Sequence, residues 1–409
     1  MESCKKRVVI YGVGLNCDIF LSYLHDKDFE VVAYVDKNKA GQTYRNFCIL
    51  EPKEIREIAY DEIFVLMRVK EERKAVIKYL TKELQVDENK IKDVFYLNKK
   101  YMLSGISNYK YVFFTEGREF FNLPYSDIMN RNDTTIRSVL WIGQKWGIVE
   151  DQKEENNTGC FIFRSHLYLK YKSEGFYEYV QYCYPNVKRI LLFSDLFEAC
   201  KKRVDLFSLA YIKSFFDLTI TYHTKEAEKY GFQYFPYSYS KLPLIEETES
   251  IDLFFVGRAK DRLERIHSLY LRARQHGLSC SFWIHEVEPD EMLKESEGIV
   301  YNQYLPYSEY LKKMMKCKCI VDVCQQGDET TMRYAEAVVY NKKLLIDDME
   351  CYKREYFNEK YMQRFIDVEE INFDWIHGEE NVDYAYRGEF SPNYLWKFID
   401  SYFNKSSIR

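Results

Sequence analysis

The stretch CQQGDETTMRYAEAVVYNKKLLI, residues 324–346, contains a polar turn, a helix and an apolar strand in succession. An apolar strand at residues 319–323 runs directly into the turn, and the helix is expected to have Thr331 near its amino end. KLLI, residues 343–346, is then predicted to be a buried strand. A strand, a helix and a second strand in this order indicate a parallel α/β sheet.

The same alternation of apolar strands and helices occurs in three series along the chain. The first contains RVVIY (7–11), the second begins at YKYVFFT (109–115) and the third begins at DLFFV (252–256). Such alternation is typical of doubly wound parallel sheets. We therefore expect an α/β chain with an N-terminal Rossmann-like domain and two further Rossmann-like halves. The predicted domains are residues 1–105, 106–245 and 246–409.

The composition predicts a soluble, multidomain protein and excludes several functional classes. The chain has 409 residues, 46% of them hydrophobic, which is too long for one compact core. Its formal charge of −5 lacks the basic excess of nucleic-acid-binding proteins. No apolar stretch approaches the roughly 18–20 residues of a membrane-spanning helix, and the first residues do not form a signal peptide. Eleven scattered cysteines favour reduced thiols in a cytoplasm.

Residues 327–336 contain the groups that a diphosphate site needs. The N–H groups and the dipole at the start of the predicted helix, near Thr331, attract anions. Arg333 adds a fixed cation whose forked donors suit phosphate oxygens. Glu336 follows one turn later and could accept hydrogen bonds from ribose hydroxyls. Asp328 and Glu336 thus place two acids around the turn and the start of the helix.

This stretch resembles the donor-binding motif of GT-B glycosyltransferases, in which two acids separated by seven residues bracket the nucleotide sugar. It is more closely similar to a bacterial family that makes lipopolysaccharide and spore polysaccharide, with a Gly…Thr-x-Arg-x-x-Glu-Ala pattern before a Lys-Lys-Leu-Ile strand. The resemblance implies a GT-B fold over residues 106–409 and a nucleotide-sugar donor. The first acid departs from the broader motif, since Asp328 stands where Glu is usual. The matching positions are Gly327, Thr331, Arg333, Glu336, Ala337 and residues 342–346.

A second segment, DLFFVGRAKDRLERI (252–266), is also similar to the GT-B pattern. In these enzymes, basic residues at the turn neutralise the departing nucleoside diphosphate, since without a metal its charge must be stabilised by fixed cations and helix N-termini. A solvated helix start is the alternative for this basic run, and a surface salt bridge is the alternative for Arg333 and Glu336. The turn contains Gly257, Arg258, Lys260 and Arg262.

An inverting enzyme of this type needs a base that takes the acceptor proton. Asp195, Glu198 and His223 are candidates, because each follows a predicted strand and the carboxyl ends of parallel strands line the cleft. Asp195 could instead be a helix N-cap, and His223 a loop histidine with satisfied hydrogen bonds. We take Asp195 and His223 as the candidate catalytic pair.

A glycine turn also follows the first strand of the chain. Gly12 and Gly14 lie where a dinucleotide fold places its phosphate turn, and Asp36 ends the second strand, where a ribose-binding acid is expected. Cys17 replaces the third glycine, so the pattern predicts the fold better than it predicts a ligand, and a structural or docking domain is the alternative. The region resembles the N-terminal domains of sialic-acid and bacillosamine acetyltransferases through VVIYGVG (8–14), VVAYVDKNKAGQ (31–42) and YDEIFVLM (60–67).

Together these patterns favour a cytoplasmic glycosyltransferase of cell-surface polysaccharide biosynthesis. It would move a sugar from a nucleotide-sugar co-substrate to a glycan or lipid-linked acceptor, with no cofactor, no metal and no nucleic-acid partner. Peripheral contact with the inner face of a membrane is compatible with this class. Two alternatives stay open. One is an NAD(P)-dependent oxidoreductase that uses the first glycine turn, and the other is a non-catalytic subunit that binds a nucleotide sugar.

Overall fold

The α/β class predicted from the sequence is confirmed by the three parallel sheets of the protein. Contacts divide the chain into two compact units, residues 1–118 with 129–234, and residues 119–128 with 235–409. No helix in the part of the chain that the structure describes is long and apolar enough to cross a membrane. The computed structural model describes residues 5–14, 17–18, 20–21, 29–67, 69–93, 103, 105–115, 123–138, 159–165, 175–193, 195–203, 208–243, 250–324, 331–378 and 381–406.

Sheet 1 has six described strands in the order β3-β4-β2-β1-β5-β6, and its pairs are parallel except for the β3–β4 hairpin. Its strands are β1 Lys6–Tyr11, β2 Phe29–Val35, β3 Thr43–Tyr44, β4 Phe47–Leu50, β5 Glu62–Val65 and β6 Ile91–Asp93. Its described helices are α1 Lys70–Lys82 and the 3₁₀ turns Pro52–Glu57 and Glu88–Lys90.

Sheet 2 has six described strands, all parallel, in the order β12-β11-β10-β9-β7-β8. The strands are β7 Tyr111–Thr115, β8 Thr134–Ser138, β9 Cys160–Arg164, β10 Lys188–Leu192, β11 Leu218–Thr221 and β12 Gln233–Tyr234. The described helices in this part of the chain are α2 Ser126–Met129, α3 Phe176–Cys183, α4 Phe197–Arg203, α5 Leu209–Phe215, α6 Thr224–Tyr230 and the 3₁₀ turns Ile106–Asn108 and Leu123–Tyr125.

Sheet 3 also has six described parallel strands, in the order β15-β14-β13-β16-β17-β18. The strands are β13 Ile251–Arg258, β14 Cys280–His285, β15 Ile299–Tyr301, β16 Cys317–Asp322, β17 Lys343–Ile346 and β18 Met362–Arg364. The helices are α7 Leu263–Gln275, α8 Tyr307–Met315, α9 Met332–Val339, α10 Asp374–His377, α11 Pro392–Ser406 and the 3₁₀ turns Lys260–Arg262, Pro289–Glu291, Cys351–Lys353 and Val368–Glu370.

The central strands of sheet 3, β13, β16 and β17, are buried along most of their length because helices cover both faces of the sheet. On β13, Leu253 and Phe255 pack in one core with α7, whereas Phe254 packs in the other core with α8 and α9. Numbered along the chain within the sheet, the strand order is 3-2-1-4-5-6, which is the order of dinucleotide-binding folds. Sheet 3 therefore has a topological switch point between β13 and β16.

Candidate functional site

The candidate site lies at the carboxyl edge of sheet 3, between β13 and β16. These are the first and fourth strands of the sheet along the chain, so the strand order reverses between them. In open parallel sheets, ligands bind in the crevice outside such a switch point. The sequence predicts two donor-binding segments, the turn after β13 and the start of α9. Both lie at this crevice.

Asp322, the last residue of β16, organises the site. Its side chain is 0% exposed, and each carboxylate oxygen has a partner. One oxygen accepts a 2.8 Å hydrogen bond from the Thr331 hydroxyl, and the other accepts a 2.7 Å bond from Nη1 of Arg333. Thr331 is also the N-cap of α9, since its hydroxyl accepts a bond from the Arg333 N–H. Asp322 thereby fixes the start of α9 against the end of β16.

Arg333 is held on three sides. Besides Asp322, its Nη1 contacts the Thr331 hydroxyl at 3.1 Å, and its Nη2 donates to the backbone carbonyl of Val256 at 2.6 Å. Its guanidinium carbon lies 5.0 Å from the centre of the Phe255 ring. The forked donors that the sequence assigns to phosphate are thus bonded within the protein, and Arg333 is a fixed, partly neutralised cation.

Arg262 is the second guanidinium group at this point, and it is only 6% exposed. Its Nε donates to the Arg258 carbonyl at 3.1 Å, and its Nη1 donates to the Val323 carbonyl. Burial, followed by the charge of Arg333, lowers the pKa of Arg262 to about 10. Its Nη2 forms no hydrogen bond with any residue that the structure describes, so this atom has capacity for an added acceptor.

Gly257 makes room for the two arginines. A Cβ at this position would lie 2.8 Å from Nη2 of Arg333 and 3.0 Å from Nη2 of Arg262. The two groups therefore converge above the glycine, where no larger residue fits without displacing them. Among the described residues, the carboxylate bonded to this pair of guanidinium groups is that of Asp322, through Arg333, so the described part of the cluster has a net positive charge and suits an anion.

Two further buried acids at this edge were not recognised in the sequence. Asp347 pairs with Arg265 and accepts from the N–H of Cys324, and Arg265 also donates to the Cys324 carbonyl at 2.7 Å. Asp348 pairs with Arg354 at 2.9 Å. The available signal was the position of Asp322, Asp347 and Asp348 directly at the end of apolar strands. Their arginine partners, which lie between 6 and 82 residues away, could not be assigned from the sequence pattern.

Arg258 and Lys260 lie on the outer side of the same turn. Arg258 is 63% exposed, and its Nη1 lies 3.3 Å from a carboxylate oxygen of Glu286, which follows β14. Lys260 is exposed and adopts the left-handed backbone conformation, with φ of 46°. The basic turn therefore combines one buried arginine, Arg262, with two exposed cations.

Glu336 lies below the start of α9 and is 0% exposed. Its carboxylate accepts hydrogen bonds from the hydroxyls of Tyr310, Tyr239 at 3.3 Å and Tyr307 at 3.4 Å. Burial raises the pKa of Glu336 to about 7. The structure thus places Glu336, the predicted ribose contact, among tyrosines. It pairs Arg333 with Asp322, and not with Glu336 as in the alternative of a surface salt bridge.

The two candidate bases lie at the carboxyl edge of sheet 2, after neighbouring strands. Asp195 follows β10, and His223 follows β11. His223 is 8% exposed and caps α6, because its Nδ1 accepts a 3.1 Å hydrogen bond from the Glu226 N–H. The switch point of sheet 2 lies elsewhere, between β7 and β9. The structure therefore brings Asp195 and His223 to one edge, and it gives His223 a structural contact.

The N-terminal glycine turn is bonded to the acid that follows it. The carboxylate of Asp36 accepts from the Val13 N–H at 3.0 Å, and Lys39 Nζ donates to the Val13 carbonyl at 2.6 Å. Gly12 has a φ of 97°, which only glycine adopts without strain, whereas a Cβ on Gly14 would meet no atom of the described residues within 4 Å. Asp36 and the turn thus lie together, as predicted for a nucleotide-binding fold. The Asp36 carboxylate is already hydrogen-bonded to the turn, however.

Gly327 and Asp328 lie outside the residues that the structure describes. Among the described side chains, no group of three or more His, Cys, Asp or Glu residues is arranged to hold a metal ion.

Comparison with known proteins gives one family match and several structural likenesses. Residues 4–92 match the family described as C2185-like, N-terminal. No curated protein sequence matches the chain.

Three of the similar solved structures are glycosyltransferases. The spinosyn forosaminyltransferase SpnP is 13% identical, with a TM-score of 0.34, and the match covers 66% of this chain and 88% of that one. A DNA-modifying β-glucosyltransferase, whose substrate is uridine diphosphoglucose, is 9% identical with a TM-score of 0.30, over 91% and 88% of the two chains. An α-glucosyltransferase bound to UDP and a 13-mer DNA is 8% identical with a TM-score of 0.28, over 84% and 80%.

Proposed function

We propose that the protein is a glycosyltransferase whose nucleotide-sugar donor binds at the carboxyl edge of sheet 3. One observation carries the proposal. Two guanidinium groups, those of Arg262 and Arg333, converge above Gly257 at the switch point of a sheet with the dinucleotide strand order. A buried pair of arginines with one carboxylate partner is a site for a strongly charged anion, and a nucleoside diphosphate is the anion that such an edge accommodates.

The chemistry of glycosyl transfer fits this charge arrangement. As the bond to the sugar breaks, negative charge develops on the departing diphosphate, and fixed cations lower the energy of that state. In our proposal, Nη2 of Arg262 contacts a phosphate oxygen, while Arg333 contributes a positive charge held in place by Asp322. The N–H groups at the start of α9 add their dipole. Arg258 and Lys260 supply exposed cations at the rim.

Three further details of the proposal rest on the sequence motif. The acceptor is a glycan or is lipid-linked, and the transfer uses no metal or cofactor. The protein acts in cell-surface polysaccharide synthesis at the inner face of a membrane. Gly327 and Asp328 would complete the donor site. Asp195 is the better candidate for the base, because the Nδ1 of His223 is used as a helix cap.

Two alanine substitutions test which glycine turn binds the nucleotide. In Gly257→Ala, the added Cβ must displace the arginine pair, although the backbone angle at this position is not in the left-handed range. We expect nucleotide-sugar binding to weaken by about tenfold, equivalent to about 1.4 kcal/mol. Gly14→Ala is the matched control, because its Cβ would enter open space beside the N-terminal turn. Binding to the wild type and both variants is measured by thermal shift with UDP-, GDP-, CMP- and dTDP-sugars, NAD and NADP.

A stabilising shift with a nucleotide sugar that is lost in Gly257→Ala and kept in Gly14→Ala supports the proposal. A shift with NAD or NADP alone, lost in Gly14→Ala, contradicts it and moves the activity to the N-terminal turn. Release of nucleoside diphosphate in the presence of acceptor then separates an enzyme from a subunit that only binds the donor.

A further inference from the structure

Glu286 occupies a position from which it can reach a nucleotide bound at the Gly257 turn. It directly follows β14, the strand that pairs with β13 on the side away from β16. Arg258 is in register with His285, so Glu286 is the next residue along beside the turn. In sheets of this order, the first strand leads into the phosphate-binding turn, and an acid that follows further along the chain binds the ribose hydroxyls.

The backbone on both sides of Glu286 is fixed. The His285 carbonyl accepts a 2.7 Å hydrogen bond from the Ala259 N–H. The Asn302 side chain accepts from the Val287 N–H at 3.1 Å and donates to the Val287 carbonyl at 2.7 Å. Glu286 itself has a φ of 61°, a left-handed conformation that is uncommon for residues other than glycine and that often marks functional sites.

The carboxylate of Glu286 differs from the other acids described at this edge. Asp322, Asp347 and Asp348 are buried and each pairs with an arginine. The Glu286 side chain is 55% exposed, and it pairs with Arg258, which is also exposed, at 3.3 Å. An exposed ion pair of this kind contributes little stability, so both of its members are easily exchanged for ligand groups.

We propose that Glu286 accepts hydrogen bonds from the ribose hydroxyls of the donor nucleotide while Arg258 turns from Glu286 to a phosphate oxygen. This inference rests on the proposed function. It assigns ribose recognition to Glu286, since Glu336, the residue that the motif suggests for that contact, is 0% exposed and surrounded by three tyrosine hydroxyls. The protein therefore selects ribonucleotides over 2′-deoxyribonucleotides.

The test compares ribonucleotide and 2′-deoxyribonucleotide binding. Titration calorimetry is performed with UDP, GDP, CDP and ADP, and with the 2′-deoxy form of each. A hydrogen bond from a hydroxyl to a carboxylate predicts a preference of about tenfold for the ribonucleotide in the wild type. In Glu286→Ala, the two dissociation constants should agree within about twofold, because the group that reads the 2′-hydroxyl is gone.

Glu297→Gln is the matched control. Glu297 is also an exposed glutamate paired with an arginine, Arg274 at 2.7 Å, but it precedes β15 at the opposite edge of the sheet. This variant should keep the wild-type ratio of dissociation constants. The assignment of Glu286, but not the proposed function, is overturned by either of two results. In one, Glu286→Ala keeps the wild-type ratio of dissociation constants; in the other, the wild type binds both forms equally. A wild type that binds none of these nucleotides and shows no thermal shift with CMP- or dTDP-sugars overturns the proposed function, and the assignment with it. A wild type that responds to dTDP-sugars alone, whose nucleotide lacks the 2′-hydroxyl, overturns the assignment of Glu286 only.

Discussion

At the scale of single residues, Asp322 shows how the candidate site and the stability of the fold depend on the same charge. A carboxylate without contact to water is tolerated only when its partners compensate the lost hydration. Here those partners are Arg333 and Thr331, which also begin α9. A loss of activity after substitution of Arg333 would therefore have two causes. The site would lose a cation, and Asp322 would be left buried without its charge partner.

A double substitution separates the two effects. Arg333→Met alone should lower the free energy of unfolding by about 3–5 kcal/mol, because Asp322 is left buried and unpaired. Arg333→Met combined with Asp322→Leu should recover at least about 2 kcal/mol of that loss, since both charges are gone. Urea denaturation of the two variants and of the wild type gives these differences.

Arg274→Met is the control for the charge pair, because its partner Glu297 is 86% exposed, and the expected loss is about 1 kcal/mol or less. Equal stability of the single and double variants would show that the buried Asp322 carboxylate does not need Arg333 as its charge partner.

At the scale of elements, Glu336 connects three parts of the chain. It lies on α9, Tyr307 and Tyr310 lie on α8, and Tyr239 lies in the segment that precedes sheet 3. The same segment is bonded to α9 a second time, because the Leu242 N–H donates to the Tyr340 hydroxyl at 3.1 Å. The carboxylate thus supports the helix whose start carries Arg333.

Glu336 makes stability depend on pH. Its pKa in the folded protein, about 7, lies above the ordinary value of 4.5 because the side chain is buried. The folded protein therefore binds more protons than the unfolded chain between these values, so the contribution of this group is present at low pH and is lost as pH rises through 7. The full loss corresponds to about 3 kcal/mol.

Glu336→Gln should remove that dependence. We expect the free energy of unfolding of the variant, relative to the wild type, to rise by about 2–3 kcal/mol between pH 5 and pH 8. Urea denaturation at both pH values measures the change, and Glu297→Gln serves as the exposed control. A relative stability that is the same at pH 5 and pH 8 would contradict a buried, titrating Glu336.

The sequence predicted those elements whose burial follows from local pattern. KLLI as β17 and DLFFV as part of β13 are confirmed, because a short apolar run defines each of them. The strands TTIRS (β8) and MQR (β18) were not predicted, since their polar residues give no strand pattern and only pairing with a neighbour reveals them.

The lysines of the Lys-Lys-Leu-Ile stretch have a structural role that the sequence could not show. Nζ of Lys342 donates to the Met315 carbonyl at the end of α8. Nζ of Lys343 donates to the Trp375 and Gly378 carbonyls at the end of α10. Both lysines thus satisfy the last carbonyls of helices that are distant in sequence. A local sequence pattern likewise could not show that Arg333 pairs with Asp322.

At the scale of the whole molecule, two glycine turns follow the first strands of two sheets, in different compact units. In the N-terminal turn the Val13 N–H is bonded to Asp36, whereas the Gly257 turn faces an arginine atom with capacity for a ligand. The sequence predicted three α/β series but not the strand orders, because order depends on pairing between distant segments. Sheet 1 also reverses its strand order beside β1, so the second turn is distinguished by the two arginines that converge on Gly257.

Hydrogen exchange should therefore locate the ligand in one unit. In the presence of a nucleotide sugar identified by thermal shift, we expect slower exchange in peptides that cover residues 256–262 and 331–336, since binding stabilises the unit that contains the site. Peptides that cover residues 6–14 should be unchanged. Protection confined to the N-terminal peptides would refute the assignment of the ligand to the Gly257 turn. Loss of protection in Gly257→Ala would confirm that the protection comes from a ligand bound at this turn.

The crowding at Gly257 also has an evolutionary consequence. With Nη2 of Arg333 and Nη2 of Arg262 within 3.0 Å of the place where a Cβ would lie, a larger residue at 257 is compatible only with the loss or displacement of an arginine. Positions 257, 262 and 333 are therefore expected to be replaced together in descendants of this chain. Such a correlated triplet would identify related sites even where the overall sequences have diverged beyond recognition.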